Sequence, residues 1–250
     1  MSKLLNKAEK CGFPKDEFVD CGEYYLSVHD QLTDEWKDLR ESDSDGETIP
    51  VLTGSKHSEA IGKSRFRTPE GLALELLGLE CREYTEQNLE NMKQGVEHED
   101  IIAEKYCKTY QAKVEKIGLV IPKFDTRIGG SIDRVVVEKN GEKRDDLIAE
   151  IKCTKYMYPA LKKRRDLKRK GHVFDKYDHA HIWDNHYVQM QSYMKILGKK
   201  NCDYVVYGRD DHDLYCETIP FNEDYWRLVI KPGLDKFFVL LNEVYERSYD

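Results

Sequence analysis

Apolar and polar positions alternate through Val114 to Ile121, Arg127 to Val137 and Asp146 to Cys153, and that period predicts three β-strands. Asn140-Gly141, between the second and third, is a hairpin-turn signal. Asp203 to Gly208 and Leu214 to Ile219 predict a second hairpin, with Asp210-Asp211-His212-Asp213 as its turn. Elsewhere the period is helical. Thr85 to Tyr110 is the clearest long helix, with Thr85 placed to cap it, Glu86 near its positive dipole end and Gly95 as a candidate break. Asp184 to Leu197 reads as a helix ending at Gly198, with Tyr187 in the core. Asn222 to Tyr245 is mainly helical, with a break expected at Pro232-Gly233 and an apolar stripe of Phe237, Phe238, Leu240, Leu241 and Val244. Trp36 to Arg40 reads as part of a helix, 41–47 as a polar loop, and Ser58 to Gly62 as a short helix capped by Ser58. The sum is an α/β (α+β) chain, a mixed sheet flanked by helices, with no internal repeat. Residues 1–33 read as an N-terminal extension packed on the core through Phe13, Phe18, Tyr24 and Tyr25, and 34–250 as the main domain.

Composition narrows the class. With 250 residues, 40% of them hydrophobic, the chain is long enough to bury a substantial core. Charged residues make up 35% and the mean hydropathy is −0.72, so the surface is very polar. No apolar run approaches the roughly 18 residues of a membrane span, and Met1-Ser2-Lys3-Leu4-Leu5 leads into charges, unlike a secretory signal. Cys11, Cys21, Cys81, Cys107, Cys153, Cys202 and Cys216 are widely spaced and odd in number. They predict reduced thiols in an intracellular, non-secreted protein of cytoplasm or nucleus, without structural zinc or an iron–sulfur cluster. The net charge is −7, but local distribution governs phosphate binding. Acidic residues are dense from Asp34 to Glu47, whereas 162–170 holds seven positive charges against one negative. Lys162, Lys163, Arg164 and Arg165 are therefore candidate phosphate contacts. The plain alternatives are a solvated helix face or a nuclear-localisation patch.

Candidate chemistry gathers on two of the strands. Asp133 interrupts an apolar run (Ile128, Ile132, Val135, Val136, Val137), and Glu150 and Lys152 lie two apart in another. Residues two apart on a strand share a face, so a small sheet can present all three to one point. Two carboxylates suit a hard divalent cation such as Mg2+, and a nearby lysine can hold or polarise a water. Burying such carboxylates is costly unless they are paired or metal-bound. A charged strand face on water is the plain alternative. His179, His181 and His186 lack a diagnostic metal-ligand spacing, and no Walker A loop is present.

The order Asp133, Glu150-Ile151-Lys152, Gln189-Met190-Gln191 resembles the restriction-endonuclease-like nuclease superfamily, whose signature is an Asp, a gap, then Glu-x-Lys. The finer resemblance is to the branch of phage lambda exonuclease, the YqaJ-like viral recombinases and the herpesvirus alkaline nucleases. Trp36-Lys37-Asp38-Leu39-Arg40 followed by Val51-Leu52-Thr53-Gly54-Ser55 resembles its N-terminal element, with an insertion at 41–47. Gly95-Val96-Glu97-His98-Glu99 resembles the start of its long helix, and Ser131 stands two before Asp133 as the family serine does. The resemblance runs from about residue 34 to 197.

It implies a restriction-endonuclease-like core and an Mg2+-dependent (or Mn2+-dependent) deoxyribonuclease using one or two ions. Asp133, Glu150, Glu99 and the Ile151 carbonyl would be metal ligands, Lys152 would orient the water, and Gln189 would lie against Lys152, leaving Gln191 for packing or solvent. Arg40, Ser55 and Ser131 resemble groups that hold a terminal 5′-phosphate; Arg65 and Arg67 are candidates for the DNA channel, and Asp125 for a further metal ligand. The implied substrate is duplex DNA, digested 5′ to 3′ to leave 3′ overhangs for recombination or end repair, with a single-strand annealing protein as partner. The resemblance leaves open a ring-shaped homotrimer or a monomer. An endonuclease or host-shutoff RNase of the same fold, and a non-catalytic DNA-binding protein, are the rival readings.

Overall fold

The Asn140-Gly141 turn joins the two strands around which the rest of the fold is organised. Both residues take positive φ (54° and 80°), as a tight hairpin turn requires. The computed structural model describes residues 5–6, 17–38 and 48–249. In chain order its first elements are β1 (Leu5–Asn6), β2 (Phe18–Asp20), β3 (Tyr24–Ser27), α1 (Asp34–Asp38), β4 (Thr48–Ile49), β5 (Leu52–Thr53), α2 (Gly54–Ala60), α3 (Pro69–Leu76) and α4 (Glu86–Tyr110). There follow β6 (Ala112–Glu115), β7 (Val120–Pro122), β8 (Ile128–Gly129), β9 (Arg134–Lys139), β10 (Glu142–Thr154), α5 (Pro159–Arg169) and α6 (Asp184–Leu197). The last are β11 (Asn201–Gly208), β12 (Asp213–Pro220), α7 (Glu223–Tyr225), a π-helical turn at Trp226–Ile230, and α8 (Lys231–Tyr249). The polar loop expected at 41–47 and residue Arg40 lie outside the described residues.

The main sheet has the order β12-β11-β10-β9-β6. Its pairs are antiparallel except β10 with β11, which is parallel and is joined by a connection carrying α5 and α6. Side chains of β10 alternate between two cores. Leu147, Ala149 and Ile151 meet Ile102, Ala103 and Tyr106 of α4. Ile148 faces the other way, into a larger core with Val188, Met190 and Tyr193 of α6 and Leu234, Phe237 and Leu241 of α8. Glu150 and Lys152 share the parity of Ile148 and so belong to the α6 side. A second sheet, β2-β3-β7, ties residues 18–27 to the core.

Several expectations shift at boundaries. The run Val114 to Ile121 is two strands in different sheets, β6 and β7. The chain crosses between them at Gly118, where an added Cβ would lie 2.6 Å from the Ser27 carbonyl oxygen and 2.8 Å from that of His29. Arg127 to Val137 likewise divides into β8 and β9. The short helix begins at Gly54, with Thr53 rather than Ser58 at its N-cap, and Ser58 is buried inside it. Helix α4 is unbroken at Gly95: Thr85 accepts from the Asn88 amide at 3.2 Å, and one glycine costs only about 1 kcal/mol in a helix held by tertiary contacts. The break expected at Pro232-Gly233 takes the form of the π-helical turn just before it, since Pro232 offers no N–H to the carbonyl four residues back. Helix α3 was not anticipated, although Thr68 caps it and Pro69 opens it. Among the described residues no helix is long and apolar enough to cross a membrane.

Candidate active site

Strand β9 reaches no further along β10 than the Arg134–Ala149 pair, so Glu150 to Thr154 have no strand on that flank. The candidate site is built in this gap. Asp133 lies in the bend before β9, not within a strand as expected, and its Oδ2 accepts the Ile151 N–H at 2.7 Å. Lys152 Nζ donates to Glu150 Oε1 at 2.5 Å. Glu150 is fully buried, and its Oε2 has no hydrogen-bond partner among the described residues. The Ser131 hydroxyl, two residues before Asp133, is buried and unpartnered in the same way.

Three carboxylates feel one another here. Burial, then Glu150, then Glu99 push the Asp133 carboxyl well above its ordinary range, against the pull of Lys152 and the Ile151 amide. Burial also raises Glu150, with Lys152 opposing and Glu99 adding to it. Burial disfavours the Lys152 ammonium, but Glu150 and Asp133 more than reverse this and hold it charged. Glu99, on α4, is held by Arg134, whose Nη1 stands 2.6 Å from its Oε1. Arg134 is buried, its Nη2 reaches Asp100 at 2.5 Å, and its Nη1 also donates to the Asp133 carbonyl. One guanidinium thus fixes both the helix glutamate and the bend that carries Asp133. Arg134 was not singled out from the sequence, although an arginine opening an apolar run is itself a signal of a buried partner.

Helix α6 closes the site from the other side with His186, Gln189 and Tyr193, which at this spacing form one stripe. The hydrogen bond that Gln189 makes is to Tyr193 and not to Lys152, against which it was expected to lie. Its Nε2 donates to the Tyr193 hydroxyl at 3.2 Å, and Tyr193 is the group that senses Glu150, Asp133 and Lys152. The Tyr193 ring lies on the backbone of Gly54, where an added Cβ would be 2.3 Å from its Cε1. His186 pairs with the Tyr204 hydroxyl at 2.5 Å; burial, then Lys152 and Arg65, keep it neutral. Gln191, as expected, packs: it donates to the Pro220 carbonyl and accepts the Asn222 amide.

The remaining candidates differ in what holds them. Ser55 is exposed at the start of α2, its hydroxyl 3.2 Å from that of Thr53. Asp125 is buried and gripped by Arg127 through both oxygens. Arg67 is drawn into ion pairs with Glu75 and Glu80 rather than facing a channel. Arg65 is exposed and lies over the Trp183 ring. The basic run is helix α5, and half of it is structural. Arg164 is buried and chelates Glu217, Arg165 chelates Asp213, and Lys162 pairs with Asp211 at 3.1 Å. Arg164 is thereby corrected from a phosphate contact to a buried brace between α5 and β12, while Lys162 and Arg165, not buried, are engaged by carboxylates of the β11–β12 turn and the start of β12. Lys163, Arg169 and Lys170 remain exposed and make no ion pair among the described residues. No three His, Cys, Asp or Glu side chains among the described residues form a ready-made metal cluster; Asp133 and Glu150 are a pair.

The profile of the YqaJ-like viral recombinase domain matches residues 35–200. The chain belongs to that family. Every residue of the gap, from Glu99 to Tyr193, lies inside the matched span. Among solved structures, the alkaline exonuclease LHK-Exo from Laribacter hongkongensis is 22% identical, with 86% of this chain and 97% of that one covered at a TM-score of 0.58. The same enzyme in complex with dAMP gives 22% identity, 86% and 95% coverage and a TM-score of 0.59. A phage-related exonuclease from Haemophilus somnus is 14% identical over 80% of this chain and 97% of that one, at a TM-score of 0.53. At such identities the likeness is one of fold, and it agrees with the restriction-endonuclease-like α/β architecture expected of this YqaJ-family chain. A comparison with curated protein sequences finds no match.

Proposed function

We propose that this YqaJ-family chain is a metal-dependent deoxyribonuclease that digests linear duplex DNA from 5′ to 3′ and leaves 3′ overhangs for recombination or end repair. The observation that carries this reading is the Asp133–Glu150 pair: a fully buried Glu150 carboxylate with one oxygen unpartnered among the described residues, near enough to the half-buried Asp133 to raise its carboxyl, beside a charged lysine. Such an arrangement is costly in itself and fits a divalent cation. Asp133 and Glu150 would hold Mg2+ or Mn2+, with Glu99 behind them. The Ile151 carbonyl would join them, because in an extended strand it projects to the same flank as the Ile151 N–H that meets Asp133. When bound, the ion supplies charge stabilisation at the phosphate and lowers the pKa of a water. Lys152, held charged by its two carboxylates, hydrogen-bonds and orients the attacking water. Tyr193, steadied by Gln189, keeps the α6 wall of the site in place. The Ser131 hydroxyl, without a partner among the described residues, is assigned with Arg40 and Ser55 to the terminal 5′-phosphate.

End-labelled linear duplex DNA, closed circular DNA and RNA, each with Mg2+ and with EDTA, test this directly. Degradation of the linear duplex alone, and only with the metal, is the expected result. Cutting of the circle or of RNA assigns the site to the endonuclease or RNase reading, and inertness of all three to a DNA-binding one. A single-strand annealing protein is the proposed partner, with pull-down on resected DNA as its check.

A further inference from the structure

Arg65, Phe66, Trp183 and Tyr158 form a continuous stack that the cleavage chemistry does not use. The Arg65 guanidinium carbon is 4.4 Å from the centre of the Trp183 ring and 5.1 Å from that of Phe66. Trp183 lies against Tyr158, with ring centres 4.2 Å apart and planes at 33°. The inner end of the stack meets the α6 wall of the catalytic gap, where the His186 ring lies 5.4 Å from that of Trp183 and 6.1 Å from that of Tyr158. The outer end is in water, where Arg65 is exposed and Phe66 is 59% exposed. Trp36 and Trp226 are buried, whereas Trp183 is half-buried between Arg65 and Tyr158, so a ligand meets the stack at its exposed Arg65–Phe66 end and along the Trp183 edge. Beside it is a depression of about 240 Å³, lined by Lys63, Arg65, Trp183, Asp184 and Asn185.

We propose that this stack is a seat for an unpaired nucleobase of the substrate strand, adjoining the phosphate engaged at Lys152. The inference rests on the nuclease reading of the gap and specifies how the strand is held there. Aromatic faces and arginine planes stack on any base without reading its sequence. A base inside a duplex is already stacked on its neighbours, so only a frayed or single-stranded one can occupy the seat. Lys63 and Arg65 at the rim match the backbone charge of the same strand. Trp183 stands at the N-cap of α6 without a side-chain capping bond, so its ring is not what starts the helix.

The test is binding without metal, read by tryptophan fluorescence and by anisotropy of labelled strands. Two short single strands with equal numbers of phosphates are compared, oligo-dA and an abasic tetrahydrofuran strand. The unaltered protein should bind oligo-dA about tenfold more tightly, with quenching of Trp183. Trp183→Phe should keep most of that preference, Phe66→Ala should reduce it, and Trp183→Ala should lose it while its affinity for the abasic strand is unchanged. Equal binding of the two strands by the unaltered protein overturns the proposal, as does an undiminished preference in Trp183→Ala. Failure of the nuclease reading is seen separately, as DNA left intact in Mg2+ whatever the binding preference.

Discussion

Asp133 stands in for a missing strand: its carboxylate accepts the Ile151 amide at 2.7 Å, at the point where β9 no longer accompanies β10. The same atom pair fixes the distance between the two halves of the proposed metal site. Asp133→Asn, Glu150→Ala and Lys152→Ala should each lower cleavage of linear duplex by more than about a hundredfold. The lysine variant should still bind Mg2+ in calorimetry, since an ammonium is not a ligand, whereas the two carboxylate variants should not. Near-normal turnover by any of the three removes the assignment.

Ser131 offers a cleaner test of end recognition than most buried residues. Its hydroxyl has no partner to lose, so Ser131→Ala should leave the melting temperature nearly unchanged. Duplexes with 5′-phosphate ends should be degraded faster than 5′-hydroxyl ones by the unaltered protein. Ser131→Ala should shrink that ratio by roughly tenfold, the scale of a hydrogen bond to a charged group. Arg40→Ala should act in the same direction.

The two kinds of cation on α5 should separate by experiment. Lys163→Gln, Arg169→Gln and Lys170→Gln together should flatten the dependence of log K on log salt, by about 0.9 for each phosphate no longer neutralised, with little change in stability. Arg164→Gln should instead destabilise the fold, by about 3 kcal/mol, because it leaves Glu217 buried without its chelating partner. An unchanged slope in the triple variant would return this face to plain solvent.

Glu217 gives the acid limb of stability a definite sign. Burial raises its carboxyl, but hydrogen bonds from Arg164, Lys168 and Tyr215 prevail and hold it at about 2. A carboxyl depressed on folding stabilises the native state above its unfolded value near 4.5 and ceases to do so as pH falls towards 2. Denaturant melts from pH 7 down to 2 should show this loss, and Glu217→Gln should be less stable at pH 7 with a flatter acid limb. A parallel curve for the variant would mean that the brace contributes nothing.

Gly54→Ala tests how Tyr193 is seated. The new methyl would fall 2.3 Å from its ring, so the ring must shift and Gln189 lose its partner. Overpacking of this kind costs about 1–3 kcal/mol. Cleavage should fall with it, and chemical denaturation beside a turnover assay measures both. A fully active, fully stable alanine variant would show that Tyr193 has room to move.

The helix and strand types were legible because their periods are local, and so was the hairpin at Asn140-Gly141. Asp133, Glu150 and Lys152 were legible because charges interrupting apolar runs demand a partner. What stayed hidden depends on contacts distant in sequence. Nothing near Arg164 announces Glu217, 53 positions away, and nothing near Gln189 says that its partner is the tyrosine one turn later. The division of Val114 to Ile121 between two sheets follows from Gly118 passing the carbonyls of Ser27 and His29, again a tertiary fact. Helix α3 has its signal in Thr68-Pro69-Glu70, a cap and a proline start, rather than in a long apolar period.

Because Asp133 and Glu150 sit on opposite arms of one hairpin, their encounter is an event in the life of each newly made molecule. Before the turn at Asn140-Gly141 closes, the two carboxylates are separate, hydrated and inert. Afterwards Arg134 must still find Glu99 on α4, and Tyr193 must arrive from a helix synthesised later. A half-folded chain therefore has no working centre. For a protein proposed to consume DNA, activity is thereby tied to the completed fold.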